Sequence, residues 1–236
     1  MKLSKKAKAF VSWSGGKDCC LAMHKARDAE PLVLLNMATE DAGRSMTHGL
    51  SSTALRLQSD CIGLPLIQQT TTWNTYERNF KDVAGRLKKE GIEAGIFGDI
   101  DLEEHRTWIE RVCADIGIEP IFPLWQKDRS SLLEELISSG FKAIVVTAKM
   151  DMISEKYLGR SVDPSFVEYV KEIAIDINGE NGEYHTFVID GPLFKKKIEI
   201  AKGQIVYKDS YMFYDMVELI TKKKEIAANE SICKDS

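Results

Sequence analysis

The hydrophobic positions of the chain form short apolar runs that alternate with longer segments of helical spacing. Segments such as 75–89 and 103–116 place apolar residues three or four positions apart, as amphipathic helices do. Strands that alternate with helices are typical of a parallel sheet with crossover connections. The predicted fold class is therefore α/β, a doubly wound parallel sheet, with strands over residues 9–12, 32–38, 65–68, 95–97, 118–122 and 143–147.

The alternation ends near residue 150, and the rest of the chain has a different pattern. We expect residues 1–150 to form the sheet domain and residues 151–221 to form a smaller C-terminal α+β unit. Lys202-Gly203-Gln204 separates two apolar runs, which predicts antiparallel strands joined by a turn at that point. Residues 222–236 are polar and are expected to form a frayed tail.

The composition narrows the function classes. Hydrophobic residues make up 44% of the 236-residue chain and charged residues 29%, as in ordinary globular proteins. The net charge of −4 argues against a nucleic-acid partner. The five cysteines contain no Cys-x-x-Cys pair, and no apolar run approaches about 18 residues. We therefore expect a cytoplasmic protein with no zinc ribbon, disulfide framework or membrane segment.

The first predicted strand leads directly into a glycine pair, in the stretch FVSWSGGKDCC at residues 10–20. Gly15 and Gly16 let the backbone turn tightly, so that its N–H groups and the start of the next helix can face an anion. Neighbouring side chains add one positive charge and two hydroxyl donors, from Lys17, Ser12 and Ser14. The alternative is an ordinary strand-to-helix turn with Asp18 as the helix cap.

A wider resemblance accompanies this loop. Ser14-Gly15-Gly16-Lys17-Asp18 resembles the Ser-Gly-Gly-x-Asp-Ser loop of the N-type ATP pyrophosphatases, which holds the pyrophosphate portion of ATP, although Cys19 replaces the final hydroxyl residue. The likeness continues, over roughly residues 8–210, through GDIDLEEHRTWIERVCADIGIEPIFPLW, LLEELISSGFKAIVV and GENGEYHTFVIDGPLFKKKI. Together these motifs resemble the diphthine–ammonia ligase family, also called diphthamide synthetase.

The resemblance implies an adenine nucleotide alpha hydrolase-like fold and an ATP-dependent amide synthesis that uses Mg²⁺. A carboxylate attacks the α phosphate, pyrophosphate leaves into the glycine loop, and ammonia or an amine displaces AMP. Asp18 and Asp99 are the expected Mg²⁺ ligands. Further nucleotide contacts are expected from Met37, His48, Gly98 and Asp99. Asp99 could instead cap the helix that follows it, and His48 could be an exposed loop residue.

Residues 179–186 contain two glycines among acidic residues, which suggests a loop that presents carboxylates. Composition alone favours a polar hairpin, whereas the family pattern Gly-Glu-x-Gly-Glu-Tyr implies the acceptor side of the site. Diphthamide-making members carry Gly and an acid where this chain has Asn181 and His185. The motif Glu-Asn-Gly-Glu-Tyr-His resembles more closely a paralogous subgroup of the family, which implies another acceptor substrate. We expect the imidazole of His185 to titrate near neutral pH and to attract a cationic acceptor less than an acid does. The residues expected to be catalytic are Lys17, Asp18, Glu180, Glu183 and His185.

The leading interpretation is an ATP-dependent amide-forming ligase. Its partners would be ATP, ammonia or an amine, and a carboxylate acceptor that the resemblance places on a translation elongation factor. A nucleotide-binding regulatory protein without turnover is one alternative, because Cys19 alters the loop. Others are ATP pyrophosphatases that act in cobalamin salvage or RNA modification. A homodimer is left open. Arg106 could contact phosphate and Lys195-Lys196-Lys197 could attract an acidic partner, but solvated surface charges are the simpler interpretation.

Overall fold

The computed structural model describes residues 5–39 and 50–224, and within them five strands form a parallel sheet. These strands are β1 (Ala7–Ser12), β2 (Ala29–Thr39), β3 (Leu66–Thr71), β4 (Ala94–Ile96) and β5 (Glu119–Ile121). They lie in the order β3-β2-β1-β4-β5, and every pairing is parallel. The predicted doubly wound α/β class is confirmed.

Helices cover both faces of this sheet. The α-helices of the described residues are α1 (Lys17–Lys25), α2 (Ser52–Ile62), α3 (Tyr76–Lys89), α4 (Glu103–Ile116), α5 (Arg129–Ser138) and α6 (Pro164–Glu172). Phe10 of β1 belongs to the core that includes α3 and α4, while Val11 belongs to the core that includes α1 and α2. Since both faces are buried, the strand is apolar at successive positions. No helix of these residues is long and apolar enough to cross a membrane.

The remaining strands form a second, antiparallel sheet. They are β6 (Lys142–Lys149), β7 (Tyr184–Asp190), β8 (Lys196–Lys208) and β9 (Tyr211–Lys223), in the order β7-β6-β9-β8. The prediction that residues 143–147 continue the parallel sheet is wrong, because β6 pairs with β7 and β9. Residues 143–148 are all buried, and a strand buried on both faces has the same apolar pattern in either kind of sheet. The division of the chain at residue 150 stays a prediction.

The hairpin of β8 and β9 turns later than predicted. The chain reverses at Asp209-Ser210, where Asp209 has a φ of 54°, and Gly203 lies inside β8 at a register shift. A Cβ atom at Gly203 would lie 2.4 Å from Cζ of Tyr214 on β9. This glycine therefore makes room for a cross-strand ring. Strand β9 continues to Lys223, which places the first two residues of the predicted polar tail in a strand.

Gly95 of β4 lies against two aromatic rings in the core. A Cβ atom there would lie 2.6 Å from Cζ of Phe10 and 2.9 Å from Cε2 of Phe97. Gly95→Ala should therefore lower the free energy of unfolding by about 1–3 kcal/mol, because the rings must move to admit the methyl group. Urea denaturation followed by circular dichroism measures this change.

Gly85 provides the matched control, because it lies inside α3 and a Cβ atom there would meet nothing within 4 Å. Gly85→Ala should raise the free energy of unfolding by about 0.5–1 kcal/mol, since alanine favours the helix. Equal urea midpoints for the two variants would contradict the close packing at Gly95.

Candidate active site

The glycine loop lies at the carboxyl end of β1 and leads into α1. Gly15 has a φ of +82°, and a Cβ atom there would lie 2.6 Å from Cδ2 of Leu55, so both backbone angle and space require glycine. Gly16 is the N-cap of α1 and has an extended backbone, so the helix begins at Lys17. Asp18 is the second helical residue, and its alternative role as the cap is therefore wrong. The first N–H groups of α1 are directed towards the loop.

Buried amide side chains brace this loop. Nε2 of Gln58 donates to the carbonyl oxygens of Gly15, at 3.0 Å, and Val188, at 2.7 Å. Its Oε1 accepts a hydrogen bond from Nε1 of Trp13 at 2.9 Å. Nδ2 of Asn36 donates to the carbonyl oxygen of Trp13 at 2.8 Å. Gln58 and Asn36 are not among the residues predicted from the sequence, although an amide side chain at a buried position of a helix or strand indicates a buried hydrogen bond.

Strand β7 of the second sheet completes the loop. The N–H of Lys17 donates to Oγ1 of Thr186 at 3.0 Å, and the N–H of Val188 donates to the carbonyl oxygen of Gly15 at 3.0 Å. These bonds bring the start of α1 against a strand that lies 169 positions further along the chain. The predicted phosphate side and the predicted acceptor side of the site therefore face each other.

A cavity of about 280 Å³ opens between these segments and the carboxyl ends of β1 and β2. The predicted site residues that line it are Ser12, Ser14, Lys17, Asp18, Met37, Gly98, Asp99, Glu180 and His185. The predicted residues that lie outside this lining are Gly15, Gly16 and Glu183. His48 lies outside the described residues. The lining also includes residues that the sequence did not single out, among them Tyr76, His105, Asn178 and Thr186.

An ion pair between a buried lysine and a partly exposed carboxylate lies at the start of α1. Nζ of Lys17 is 2.7 Å from Oδ2 of Asp18, and Lys17 is only 5% exposed. Nδ2 of Asn178 donates to the other oxygen of Asp18 at 3.4 Å. Nζ of Lys17 also lies 5.7 Å from the ring centroid of Tyr184. These contacts hold a positive charge beside the N-terminus of α1, and that combination favours a phosphate group.

Asp99 brings a second carboxylate to the cavity. The N-cap of α4 is Leu102, so Asp99 does not cap that helix. Oδ1 of Asp99 lies 3.3 Å from Nδ1 of His105, and this hydrogen bond raises the pKa of the imidazole. The described part of the chain contains no group of three or more His, Cys, Asp or Glu residues that could hold a metal ion. Two carboxylates on one cavity, from Asp18 and Asp99, do fit Mg²⁺, which takes its remaining ligands from phosphate and water.

The two acidic residues of the predicted acceptor loop have different surroundings. Glu180 lines the cavity, where burial and the nearby Asp18 carboxylate raise its pKa to about 7. Glu183 is 4% exposed, and its carboxylate accepts hydrogen bonds from the backbone N–H of Asn181, at 3.0 Å, and from its Nδ2, at 3.1 Å. Glu183 and Asn181 therefore stabilise the loop, and a catalytic role for Glu183 stays a prediction.

His185 lines the cavity and carries no charge at pH 7. Burial and the positive charge of Lys17 lower its pKa to about 4, and Lys149 acts in the same direction. The expectation that this imidazole titrates near neutral pH is therefore wrong. Burial disfavours the charged form of any group, and two neighbouring lysines strengthen that effect here.

Cys19 keeps a contact within the glycine loop. Its thiol donates to the carbonyl oxygen of Gly16 at 3.2 Å, and the hydroxyl group of Ser14 lies 3.5 Å from its sulfur. The side chain also lines the cavity. The cysteine therefore stabilises the loop, while the hydroxyl donor of the family pattern is missing.

The arginines of α4 lie outside the cavity lining. Arg106 pairs with Glu110 at 2.7 Å and packs over the ring of Trp125 at 4.7 Å. Arg111 binds both carboxylate oxygens of Glu77. Their partners are protein groups of the surface, in agreement with the simpler interpretation.

Comparisons with known proteins cover most of the chain. The family model described as "Diphthamide synthase N-terminal domain" matches residues 7–120, and that described as "Diphthamide synthase C-terminal domain" matches residues 128–226. The diphthine–ammonia ligase of Homo sapiens is 30% identical over 227 residues, which cover 85% of each chain. That of Danio rerio is 31% identical over 223 residues, which cover 83% of this chain and 88% of the relative.

A solved structure described as a predicted subunit of tRNA methyltransferase from Methanocaldococcus jannaschii is more distant. It is 18% identical with a TM-score of 0.41, and the match covers 79% of this chain and 98% of that chain. This likeness is too weak to support an assignment of function. The two family models, by contrast, include both the glycine loop and residues 179–186, which face each other across the cavity. The chain therefore belongs to the diphthamide synthase family, whose curated members are named diphthine–ammonia ligases.

Proposed function

We propose that the protein is an ATP-dependent ligase that forms an amide by adenylating a carboxylate, releasing pyrophosphate and transferring ammonia. Family membership supports the ligase class, because the relatives are named diphthine–ammonia ligases. The observation that carries the proposal is that Ser14 and Lys17 of the glycine loop, Asp99 and Glu180 line the same cavity. A nucleotide and an acceptor must meet in one place for AMP to be transferred between them.

The phosphate side of this reaction belongs to α1 and the glycine loop. Negative charge builds on the leaving pyrophosphate, and the buried charge of Lys17 together with the positive N-terminal end of α1 would stabilise it. Asp18 and Asp99 would hold Mg²⁺ directly or through water, and the metal would neutralise part of the phosphate charge. The contact of Asp18 with Lys17 keeps the cation and the carboxylate side by side.

The ammonia step requires a base. Only neutral ammonia can attack an acyl carbon, and its nitrogen carries an extra proton once it has attacked. Glu180 has a pKa of about 7, so a substantial fraction is ionised at neutral pH and can accept a proton. Neutral ammonia attacks the acyl carbon of the adenylate and forms a tetrahedral species with one extra proton on nitrogen. Glu180 takes this proton, and the carbon–oxygen bond to AMP then breaks to release the amide and AMP.

Diphthine on a translation elongation factor is the leading acceptor, because the relatives are named for it. The reaction would take place in the cytoplasm, where ATP, ammonium and that factor meet. Diphthine carries a trimethylammonium group, and the neutral ring of His185 gives it no charge to bind. A carboxylate at about 4 Å would contribute on the order of 4 kcal/mol at an effective dielectric constant of ~20, before desolvation is subtracted.

ATP turnover tests the proposed function. With ATP, Mg²⁺, ammonium and the diphthine-bearing factor, the protein should release AMP and pyrophosphate in equal amounts. Lys17→Ala should weaken ATP binding by roughly tenfold or more in calorimetry, since a charge-assisted phosphate contact is lost. Lys25→Ala is the matched control, because Lys25 lies on the same helix and pairs with Glu135 outside the cavity lining. Release of ADP and orthophosphate would contradict the proposal, and ATP binding without turnover would favour the regulatory alternative.

The pH dependence of the ammonia step tests Glu180. At constant free ammonia, the rate should rise between pH 6 and pH 8, because the carboxylate form of Glu180 increases as pH passes through its pKa of about 7. Glu180→Gln should lower the rate by roughly 10²- to 10⁴-fold and remove this rise. Glu183→Gln should keep the pH dependence even where the rate falls, because Glu183 lies outside the cavity lining. An unchanged pH profile in Glu180→Gln would exclude Glu180 as the base.

His185→Glu tests acceptor selectivity. A carboxylate at this position should increase the rate of diphthine amidation by attracting the trimethylammonium group, and mass spectrometry of the elongation factor measures the product. His185→Gln is the neutral control and should leave the preference for a cationic acceptor unchanged. If the two variants amidate diphthine equally well, position 185 does not contact the cationic part of the acceptor.

A further inference from the structure

Arg129 is the first residue of α5, where a positive charge is poorly placed. The N-terminus of a helix carries a partial positive charge, so a cation in the first turn is destabilising unless other groups compensate. Its guanidinium group binds two carboxylates, Asp101 and Asp176, which lie on different segments. These two ion pairs compensate for the unfavourable charge at the start of α5, and they connect two separate segments of the chain through Arg129.

On one side, Arg129 holds the loop that follows β4. Its Nε and Nη2 donate to the two oxygens of Asp101 at 2.8 Å and 2.6 Å. This parallel pair of bonds fixes the orientation of the guanidinium plane. Asp101 is two residues beyond Asp99, which lines the cavity. Arg129 is therefore anchored to the segment that carries a predicted Mg²⁺ ligand.

On the other side, Arg129 holds the segment that leads into the acceptor loop. Its Nη1 donates to Oδ2 of Asp176, whose side chain is 11% exposed. Oδ1 of Asp176 accepts hydrogen bonds from the backbone N–H groups of Asn178, at 2.8 Å, and Glu180, at 3.2 Å. One oxygen thus binds the arginine and the other shapes the turn. This turn places Asn178 within hydrogen-bond distance of Asp18. It also places Glu180 in the cavity lining.

We propose that Arg129 is a positioning residue that clamps the acceptor loop to the loop after β4 and thereby holds Glu180 opposite the glycine loop. Its effect on the reaction rests on the proposed function, whereas the clamp itself rests only on the contacts of Arg129. A lysine could supply the charge, but it could not bind both oxygens of Asp101 in parallel while reaching Asp176.

The charge of Arg129 also acts on Glu180. Burial and Asp18 raise the pKa of Glu180, while Lys17 and Arg129 lower it. The charged and titratable groups around this carboxylate are Lys17 and Asp18 of α1, His105 of α4, Arg129 of α5, and Asp176 and Tyr184 on either side of the acceptor loop. Removing Arg129 should therefore move the pKa of Glu180 upward. Loop distortion alone gives no reason for a shift in this direction.

Hydrogen exchange and carboxyl NMR test the clamp without any acceptor. In Arg129→Gln, the backbone amides of Asn178 and Glu180 should exchange about tenfold faster or more, because a charge-assisted bond that holds their acceptor is lost. The ¹³C-carboxyl signal of Glu180, assigned with Glu180→Gln, should titrate at higher pH than in the unchanged protein. Arg129→Lys should bring the pKa of Glu180 closer to its original value than it brings the exchange rates of the two amides. Lysine keeps the positive charge but cannot form the parallel pair of bonds to Asp101.

Arg111→Gln is the matched control, because it removes an equally bidentate arginine–carboxylate pair that lies outside the cavity lining. Arg111→Gln should change neither the exchange rates of the Asn178 and Glu180 amides nor the pKa of Glu180. Asp101→Asn breaks one side of the clamp and provides a second route if Arg129→Gln does not fold; it should also speed exchange of the two amides. Exchange and titration in Arg129→Gln that match those of Arg111→Gln would overturn the proposal.

Kinetics then separate the clamp from the proposed function. With the diphthine-bearing factor, Arg129→Gln should move the low-pH limb of the rate profile to higher pH, in step with Glu180. If neither protein amidates the factor but the exchange and NMR changes occur, the clamp stands and the proposed acceptor is wrong. If amidation occurs with an unshifted profile, Arg129 does not position Glu180.

Discussion

The site depends on how the backbone polar groups of the glycine loop are satisfied. The carbonyl oxygen of Gly15 accepts hydrogen bonds from Gln58 and from the N–H of Val188, while Thr186 accepts from the N–H of Lys17. A tight, buried loop keeps one shape only when such groups have partners. Since β7 supplies two of these partners, the loop is complete only when the second sheet packs against the first.

The same burial sets the charge states within the cavity. Lys17 is a buried cation, and Asp18 is its direct partner. Glu180 keeps a proton up to near neutral pH, while His185 stays uncharged well below it. These shifts have opposite signs but one common cause, because burial disfavours the charged form of an acid and of a base alike. The cavity thus has a group that can exchange protons at neutral pH and avoids a second buried cation.

Two residues that depart from the family pattern, Asn181 and Cys19, form hydrogen bonds within their own loops. Asn181 uses its backbone and side-chain amides to bind Glu183, and the thiol of Cys19 donates to the carbonyl oxygen of Gly16. Both residues therefore stabilise the loop in which they lie. His185 differs from them, because its ring lines the cavity and changes the charge that an acceptor meets.

By itself the sequence determined the parallel strands, the bounds of α4 and the glycine loop, because periodicity and turn chemistry are local properties. It also indicated the family. It did not determine the partners of β6, since a buried apolar strand can pair in a parallel or an antiparallel sheet. Nor did it determine the packing of Gly203, since a glycine can lie in a turn or inside a strand. Gln58 acts on a strand 130 residues away, and the charge state of His185 depends on burial beside Lys17. Only the tertiary structure decided these features, because each arises from contacts between segments distant in the chain.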